Sequence, residues 1–148
     1  MTEYEFYWIE NGILAGSSLP RSKKDIQKIR EARIKIIISL DSASEVGELI
    51  EDTQITHYKL EFRDFGTPSQ EQIDFFVEIT SKAKEMNEPI LIHCYAGCGR
   101  TGVMLVMYLM IFQNLSYEKA LEKVRKVRSC AVETINQHHF LQDLEITF

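Results

Sequence analysis

The chain has 148 residues, of which 45% are hydrophobic and 26% charged, enough for one domain (1–148) with its own core. Its formal net charge of −5 points to no general affinity for nucleic acid or an anionic membrane surface. An anionic substrate has to be caught by a local site instead.

From the N-terminus, "FYWIENGILAG" predicts a hairpin, two β-rich runs around Asn11-Gly12. "RSKKDIQKIREARI" predicts a helix with Ser22 as N-cap and Ile26, Ile29 and Ala32 or Arg33 on one face. "KIIISL" (35–40) is a continuous apolar run of the kind buried inside α/β sheets. "SASEVGELIED" predicts a short helix, and the alternating "ITHYKLEF" (55–62) a further strand. In "TPSQEQIDFFVEITSKAKEM", Ser69 and Gln72 have capping-box spacing, and Ile73, Phe76, Val77 and Thr80 trace an apolar face.

"PILI" (89–92) is the next strand. Arg100 to about Asn114 predicts a helix that is hydrophobic all round and therefore central. Its apolar stretch "VMLVMYLMIF" is about half a membrane span, so it reads as a buried helix. Residues 116–128 predict an amphipathic helix whose basic residues, Lys119 to Arg128, are expected on a solvated face, with docking of acidic substrates as the alternative. Thr134 and Gln137 repeat the capping-box spacing and open a last helix to about Ile146. Alternating strands and helices predict a single α/β domain: a central, twisted, mostly parallel sheet with helices on both faces.

The three cysteines, Cys94, Cys98 and Cys130, form no disulfide-like framework, which leads to the expectation of a reducing, cytoplasmic setting. The N-terminus has no basic region followed by an apolar stretch, so no signal peptide is expected. Neither myristoylation at Thr2 nor prenylation at "EITF" is expected either.

The chemistry concentrates in "PILIHCYAGCGRTG" (89–102). A strand, a glycine-rich turn and a buried helix together aim backbone N–H groups and a positive dipole end at an anion. The turn begins with Cys94 and ends with Arg100. A cysteine facing several N–H donors and an arginine is biased toward the nucleophilic thiolate. The planar fork of Arg100 can grip two oxygens of a phosphoryl group. Together they imply covalent phosphoryl transfer through a cysteinyl-phosphate. Asp64, in "FRDFGTPS" 30 residues upstream, is the candidate acid for the leaving oxygen and base for the hydrolytic water. It also reads as a loop-capping aspartate.

"HCYAGCGRTG" matches the HCxxGxGR[ST] signature, and the chain thereby resembles the cysteine-based protein tyrosine phosphatases. "GILAGSSLP", the D-x-x-x-P from Asp64 to Pro68 and "AVETINQ" are similar to the VHZ-type and short archaeal enzymes of the small atypical dual-specificity branch. The resemblance implies Cys94 as nucleophile, Asp64 as general acid, and Tyr95, Ala96, Gly97, Cys98, Gly99 and Arg100 as the phosphate-binding loop. It implies that Arg100 also holds the transition state, that the Thr101 hydroxyl helps the thiolate leave, and that His93 orders the loop. Gln137 either positions the hydrolytic water or serves only as the N3 partner of Thr134.

Three positions depart from the pattern. Arg63 stands where relatives tend to carry proline, and Ser129-Cys130 where they tend to carry Pro-Gly. Cys98 lies inside the loop, where it either pairs with Cys94 as a redox guard or simply fills space.

The expected function is therefore a cofactor-free, metal-free protein phosphatase acting on phosphotyrosine and also on phosphoserine and phosphothreonine. Its expected partners are phosphorylated proteins, with no nucleic acid or membrane, and the chain is expected to be a monomer. Cys94 and Cys98 lack the further ligands a zinc site needs, and His138 and His139 read as a solvated helix face. The alternatives are a phosphatase of phosphoinositides, nucleotides or RNA 5′ ends, and an inactive phosphobinding module. Tyr95, Ala96 and Cys98 stand where phosphoinositide enzymes tend to place lysine, which disfavours the first. The presence of Cys94, Arg100, Asp64 and Thr101 together disfavours the second. Arsenate reductases and low-molecular-weight phosphatases share the C-x5-R spacing but carry it near their N-terminus.

Overall fold

The computed structural model describes residues 3–147. In chain order the elements are β1 (Phe6–Glu10), β2 (Leu14–Ser17), α1 (Lys23–Glu31), β3 (Ile36–Ser39), α2 (Val46–Leu49), β4 (Thr56–Lys59), α3 (Gln70–Glu85), β5 (Ile90–His93), α4 (Gly99–Phe112), α5 (Tyr117–Val127) and α6 (Ile135–Thr147).

The strands form one sheet in the order β1-β2-β5-β3-β4, parallel except for the β1/β2 hairpin at one edge. Gly12 makes the hairpin turn at φ +73°, a left-handed conformation glycine adopts without steric cost. The apolar runs of β3 and β5 are buried along their full length because helices cover both faces.

Side-chain alternation divides the core in two. Ile36, Ile38, Ile90 and Ile92 face one cluster, which includes Phe76 of α3, Leu105 of α4, Val124 of α5 and Leu141 of α6. Ile37 and Leu91 face a smaller cluster with Ile26 and Ile29 of α1 and Val46 of α2. α4 is buried from Gly99 to Met110 and touches β2, β5, α5 and α6, as expected of a helix apolar on all sides.

The helix starts are cut by their caps. Ser22 accepts from Asp25 N, Ser116 from Lys119 N, and Ser69 with Gln72 completes a capping box. Two elements are shorter than expected. β4 keeps only four residues of the alternating 55–62 run, since Phe62 instead donates its N–H to Leu40 O and leaves the sheet. α2 is a single turn with no side-chain cap. Arg33, one candidate for the apolar face of α1, lies beyond the helix at φ 65°.

Candidate active site

β5 delivers Cys94 to the C-terminal edge of the sheet, and α4 begins five residues later at Gly99. Period-two alternation puts His93 and Cys94 on opposite faces of the strand. Cys94 is a free thiol, buried among Ile92, Val103 and their neighbours, while His93 is fully buried on the other side.

The backbone of the 94–98 turn is held from outside, one carbonyl at a time. His93 Nδ1 lies 3.1 Å from Cys94 O. Leu19 N donates to Tyr95 O at 3.1 Å. Arg128 Nη2 donates to Ala96 O at 2.8 Å, while Tyr7 Oη (2.8 Å) and Arg128 Nε (3.3 Å) donate to Gly97 O. Gly102 N donates to Cys98 O at 2.8 Å.

In a trans peptide the N–H points opposite the C=O, and the chain has no cis bond among the described residues. Five outward carbonyls therefore turn the N–H groups of Tyr95, Ala96, Gly97, Cys98 and Gly99 toward the inside of the turn. Burial pushes the Tyr7 hydroxyl far above the usual phenol range, so it keeps the proton it donates. Gly97 permits the bend at φ +75°, where a Cβ would stand 2.7 Å from the Ser17 and Ser18 backbone. Such a ring of inward donors at a helix N-terminus can receive a tetrahedral oxyanion.

Arg100 and Thr101 follow Gly99 in the first turn of α4. Arg100 is nearly buried; its Nη1 donates to Phe62 O at 3.1 Å, and its Nε lies 3.6 Å from Asp64 Oδ1. Arg100 Nε and Thr101 Oγ1 are buried polar atoms without a hydrogen-bond partner among the described residues, so both remain available to a bound group. The Asp64 side chain is 57% exposed, and its Oδ1 also accepts from Phe65 N. It thus sits at the mouth of the site and caps its own loop at once. Asp41, Glu61, Phe62, Arg63, Asp64, Tyr95 and Arg100 line a cleft of about 620 Å³.

The acid-bearing loop is fastened at four carbonyls. Gln72 Nε2 donates to Glu61 O, Arg100 to Phe62 O, Thr134 Oγ1 to Phe65 O, and Gln137 Nε2 to Gly66 O. Gln137 is fully buried, and its Oε1 accepts from both Glu133 N and Thr134 N. The sequence left Gln137 between two roles; its amide is engaged at both ends by the cap and the acid loop.

Three expectations need correction. Cys98 is bonded to Cys130, not to Cys94, because its side chain points out of the turn toward the segment after α5. The chain thus carries a disulfide that its odd cysteine count did not suggest. The Ser129-Cys130 turn consequently matters to the site: Val132, a β-branched residue held at φ 63°, lies two residues on, with Arg125 donating to Ala131 O and Val132 O. The basic face of α5 is only partly solvated, since Arg125 and Arg128 brace backbone and Lys123 pairs with Glu10. His138, expected on a solvated face, bonds Tyr117, while His139 is exposed. Among the described residues no group of three or more His, Cys, Asp and Glu is arranged to hold a metal ion.

A strand, an inward-facing amide ring carrying Cys94 and Arg100, and a buried helix on this sheet define the class of cysteine-dependent phosphatases. Residues 3–141 match the family model described as the Swiss Army Knife protein DSP-PTPase phosphatase domain, and the chain belongs to that family. It is 32% identical over 90 residues to protein tyrosine phosphatase domain-containing protein 1 of Danio rerio, a match covering 61% of this chain and 12% of the relative. It is 24% identical over 152 residues to the Homo sapiens dual specificity protein phosphatase CDC14A, covering 94% and 25% respectively. The chain therefore spans a quarter or less of these two curated relatives. Tk-PTP in its active form superposes with a TM-score of 0.87 at 27% identity, covering 97% of each chain. PTPMT1 superposes at 0.85 with 19% identity, covering 97% of this chain and 95% of its own, a likeness of fold alone.

Proposed function

We propose that the chain hydrolyses phosphotyrosine in proteins, and phosphoserine and phosphothreonine as well, through a phosphoryl group carried on Cys94. The observation that carries this reading is the run of five bonded carbonyls, which leaves five amides facing into the turn that begins at Cys94.

The Cys94 thiolate attacks phosphorus, forming an S–P bond as the bond to the leaving oxygen breaks. Protonated Asp64 gives that oxygen its proton. The amides of residues 95–99 and the Arg100 fork receive the equatorial oxygens, whose charge pattern changes little between the two steps. Water, deprotonated by the Asp64 carboxylate, then attacks phosphorus. The S–P bond breaks while the Thr101 hydroxyl donates to the departing sulfur. In this reading His93 and Gln137 support the site, holding the 94–100 turn and the acid loop respectively.

Exposed Tyr95 in the cleft lining offers an apolar flank for an aromatic ring. No lysine occupies the 94–100 turn, which favours a phosphoprotein over a highly charged inositol head group. The test is phosphate release from matched phosphotyrosine, phosphoserine and phosphothreonine peptides, beside soluble phosphoinositides and nucleotides, with EDTA present. Peptide turnover that disappears in Cys94→Ser supports the proposal. Turnover of the lipids or nucleotides alone would transfer the same chemistry to a different substrate class.

A further inference from the structure

His93 touches Cys94 through the backbone only, so the state of its ring governs where the first carbonyl of the turn points. Behind it lies a chain of polar side chains on three neighbouring strands. His93 Nε2 is 2.6 Å from Ser39 Oγ, and Ser39 Oγ is 2.7 Å from His57 Nε2. Register explains the grouping: Ser39 pairs directly with His93 across β3/β5, and His57 sits one pleat back on β4. All three point to the same face of the sheet, opposite Cys94.

The hydrogens in this chain have one consistent arrangement when His93 is neutral. His93 Nδ1 faces two acceptors, Cys94 O at 3.1 Å and Asp41 Oδ1 at 3.6 Å, so it carries the proton. Nε2 is then an acceptor and takes the single hydroxyl proton of Ser39. Having given its proton away, Ser39 Oγ accepts from His57 Nε2–H and from Ser44 Oγ, 3.3 Å away; Ser44 in turn accepts from Val46 N. Burial, with Arg100 also opposing a second positive charge, keeps His93 below the usual histidine range despite Asp41 and the Cys94 carbonyl. His57 is pushed down to about 4 by burial and then by His93 and Lys59, against the pull of Asp41. Both rings are thus neutral near pH 7, as the arrangement requires.

We propose that Ser39 and His57 are positioning residues of the reaction. They hold His93 in its Nδ1–H tautomer, so that it donates to Cys94 O and turns the Tyr95 N–H toward the cysteine sulfur. If Ser39 gives no proton, Nε2 can carry the hydrogen instead. Nδ1 would then present a lone pair to the lone pairs of Cys94 O, and that carbonyl would swing away. His57 acts one step earlier, by occupying the Ser39 oxygen so that the hydroxyl hydrogen points to His93. This inference rests on the reading of Cys94 as nucleophile.

The test combines nitrogen NMR of the histidine rings, the pH dependence of Cys94 alkylation by iodoacetamide, and kcat on a phosphotyrosine peptide. In the unaltered protein the His93 ring should carry hydrogen on Nδ1 and the His57 ring on Nε2. Ser39→Ala should shift His93 toward the Nε2–H form and move the alkylation midpoint upward. It should also lower kcat by roughly tenfold, the worth of one or two hydrogen bonds.

Ser39→Thr, which keeps the hydroxyl, should restore all three readouts. His57→Leu should act in the same direction as Ser39→Ala and His57→Gln less, since the Gln amide can still donate. The Ser39→Ala/His57→Leu pair should be no worse than Ser39→Ala alone, because the two act in series.

A His93 ring with hydrogen on Nε2 in the unaltered protein would overturn the proposal. So would Ser39→Ala and His57→Leu proteins that melt earlier yet keep the tautomer and alkylation profile unchanged. Alkylation of unaltered Cys94 no faster than a free thiol at neutral pH would count against the nucleophile reading itself.

Discussion

At the scale of single residues, the site depends on groups held in one state by their surroundings. His57 illustrates the consequence for pH. Its folded value of about 4 lies below the ordinary histidine value of 6.5, so between these limits the unfolded chain binds more protons than the folded one. The stability this neutral ring contributes is present above about pH 6.5 and is lost as pH falls toward 4. Thermal melts should therefore show the melting temperature dropping over that window, and dropping less in His57→Gln; parallel pH profiles for the two proteins would contradict the assignment. His93, Cys94, Arg100 and Thr101 were legible as candidates because they fall within nine residues of one another, and Asp64, 30 residues upstream, because its loop follows a strand. Ser39 and His57 were not, since they meet His93 only through strand register between segments 18 and 54 residues apart. Nor was Val132, whose left-handed backbone is imposed by its neighbours against its own preference.

At the scale of elements, the segment after α5 ties the 94–100 turn to the loop bearing Asp64. Cys130 bonds to Cys98 in the 94–100 turn, and Thr134 and Gln137, a few residues on, hold the acid loop. The disulfide spans 32 positions, and closing a loop of that size in the unfolded chain is worth about 3–4 kcal/mol. Cys130→Ser should accordingly melt about 10 °C lower than the oxidised parent in differential scanning calorimetry, with the gap closing when the parent is reduced. Equal melting of the two oxidised proteins would show that the bond constrains nothing. Gln137→Ala frees the Gly66 carbonyl and so loosens the loop bearing Asp64. Its kcat should fall more for alkyl phosphates, whose leaving oxygen needs the proton, than for nitrophenyl phosphate, which needs it little. An equal loss on both would place Gln137 elsewhere in the mechanism. The elements themselves were largely legible: apolar runs, caps and the Asn-Gly turn located all eleven to within a few residues. The disulfide was hidden because sequence spacing alone does not say which way the Cys98 side chain leaves its turn.

At the scale of the whole molecule, the chain is anionic while its proposed substrate is an anion. Capture then falls to the amide ring and Arg100 at short range, with no long-range attraction to screen. Raising salt from about 50 to 200 mM should change kcat/KM for an acidic phosphopeptide by less than about twofold. A steep fall would reveal a basic steering surface that the net charge conceals. The parallel sheet delivers Cys94, the proposed nucleophile, at the C-terminal ends of its strands, and Gln72 of α3 and Gln137 of α6 hold the segment bearing Asp64. In the proposed mechanism the Cys94 sulfur carries the phosphoryl group. Rapid acid quenching during turnover of a phosphotyrosine peptide, followed by peptide mass spectrometry, tests it directly. A phosphoryl group should be found on Cys94, accumulating further in Asp64→Asn, whose second step lacks its base. Turnover by Cys94→Ser, or a phosphoryl group trapped on any other residue, would contradict it.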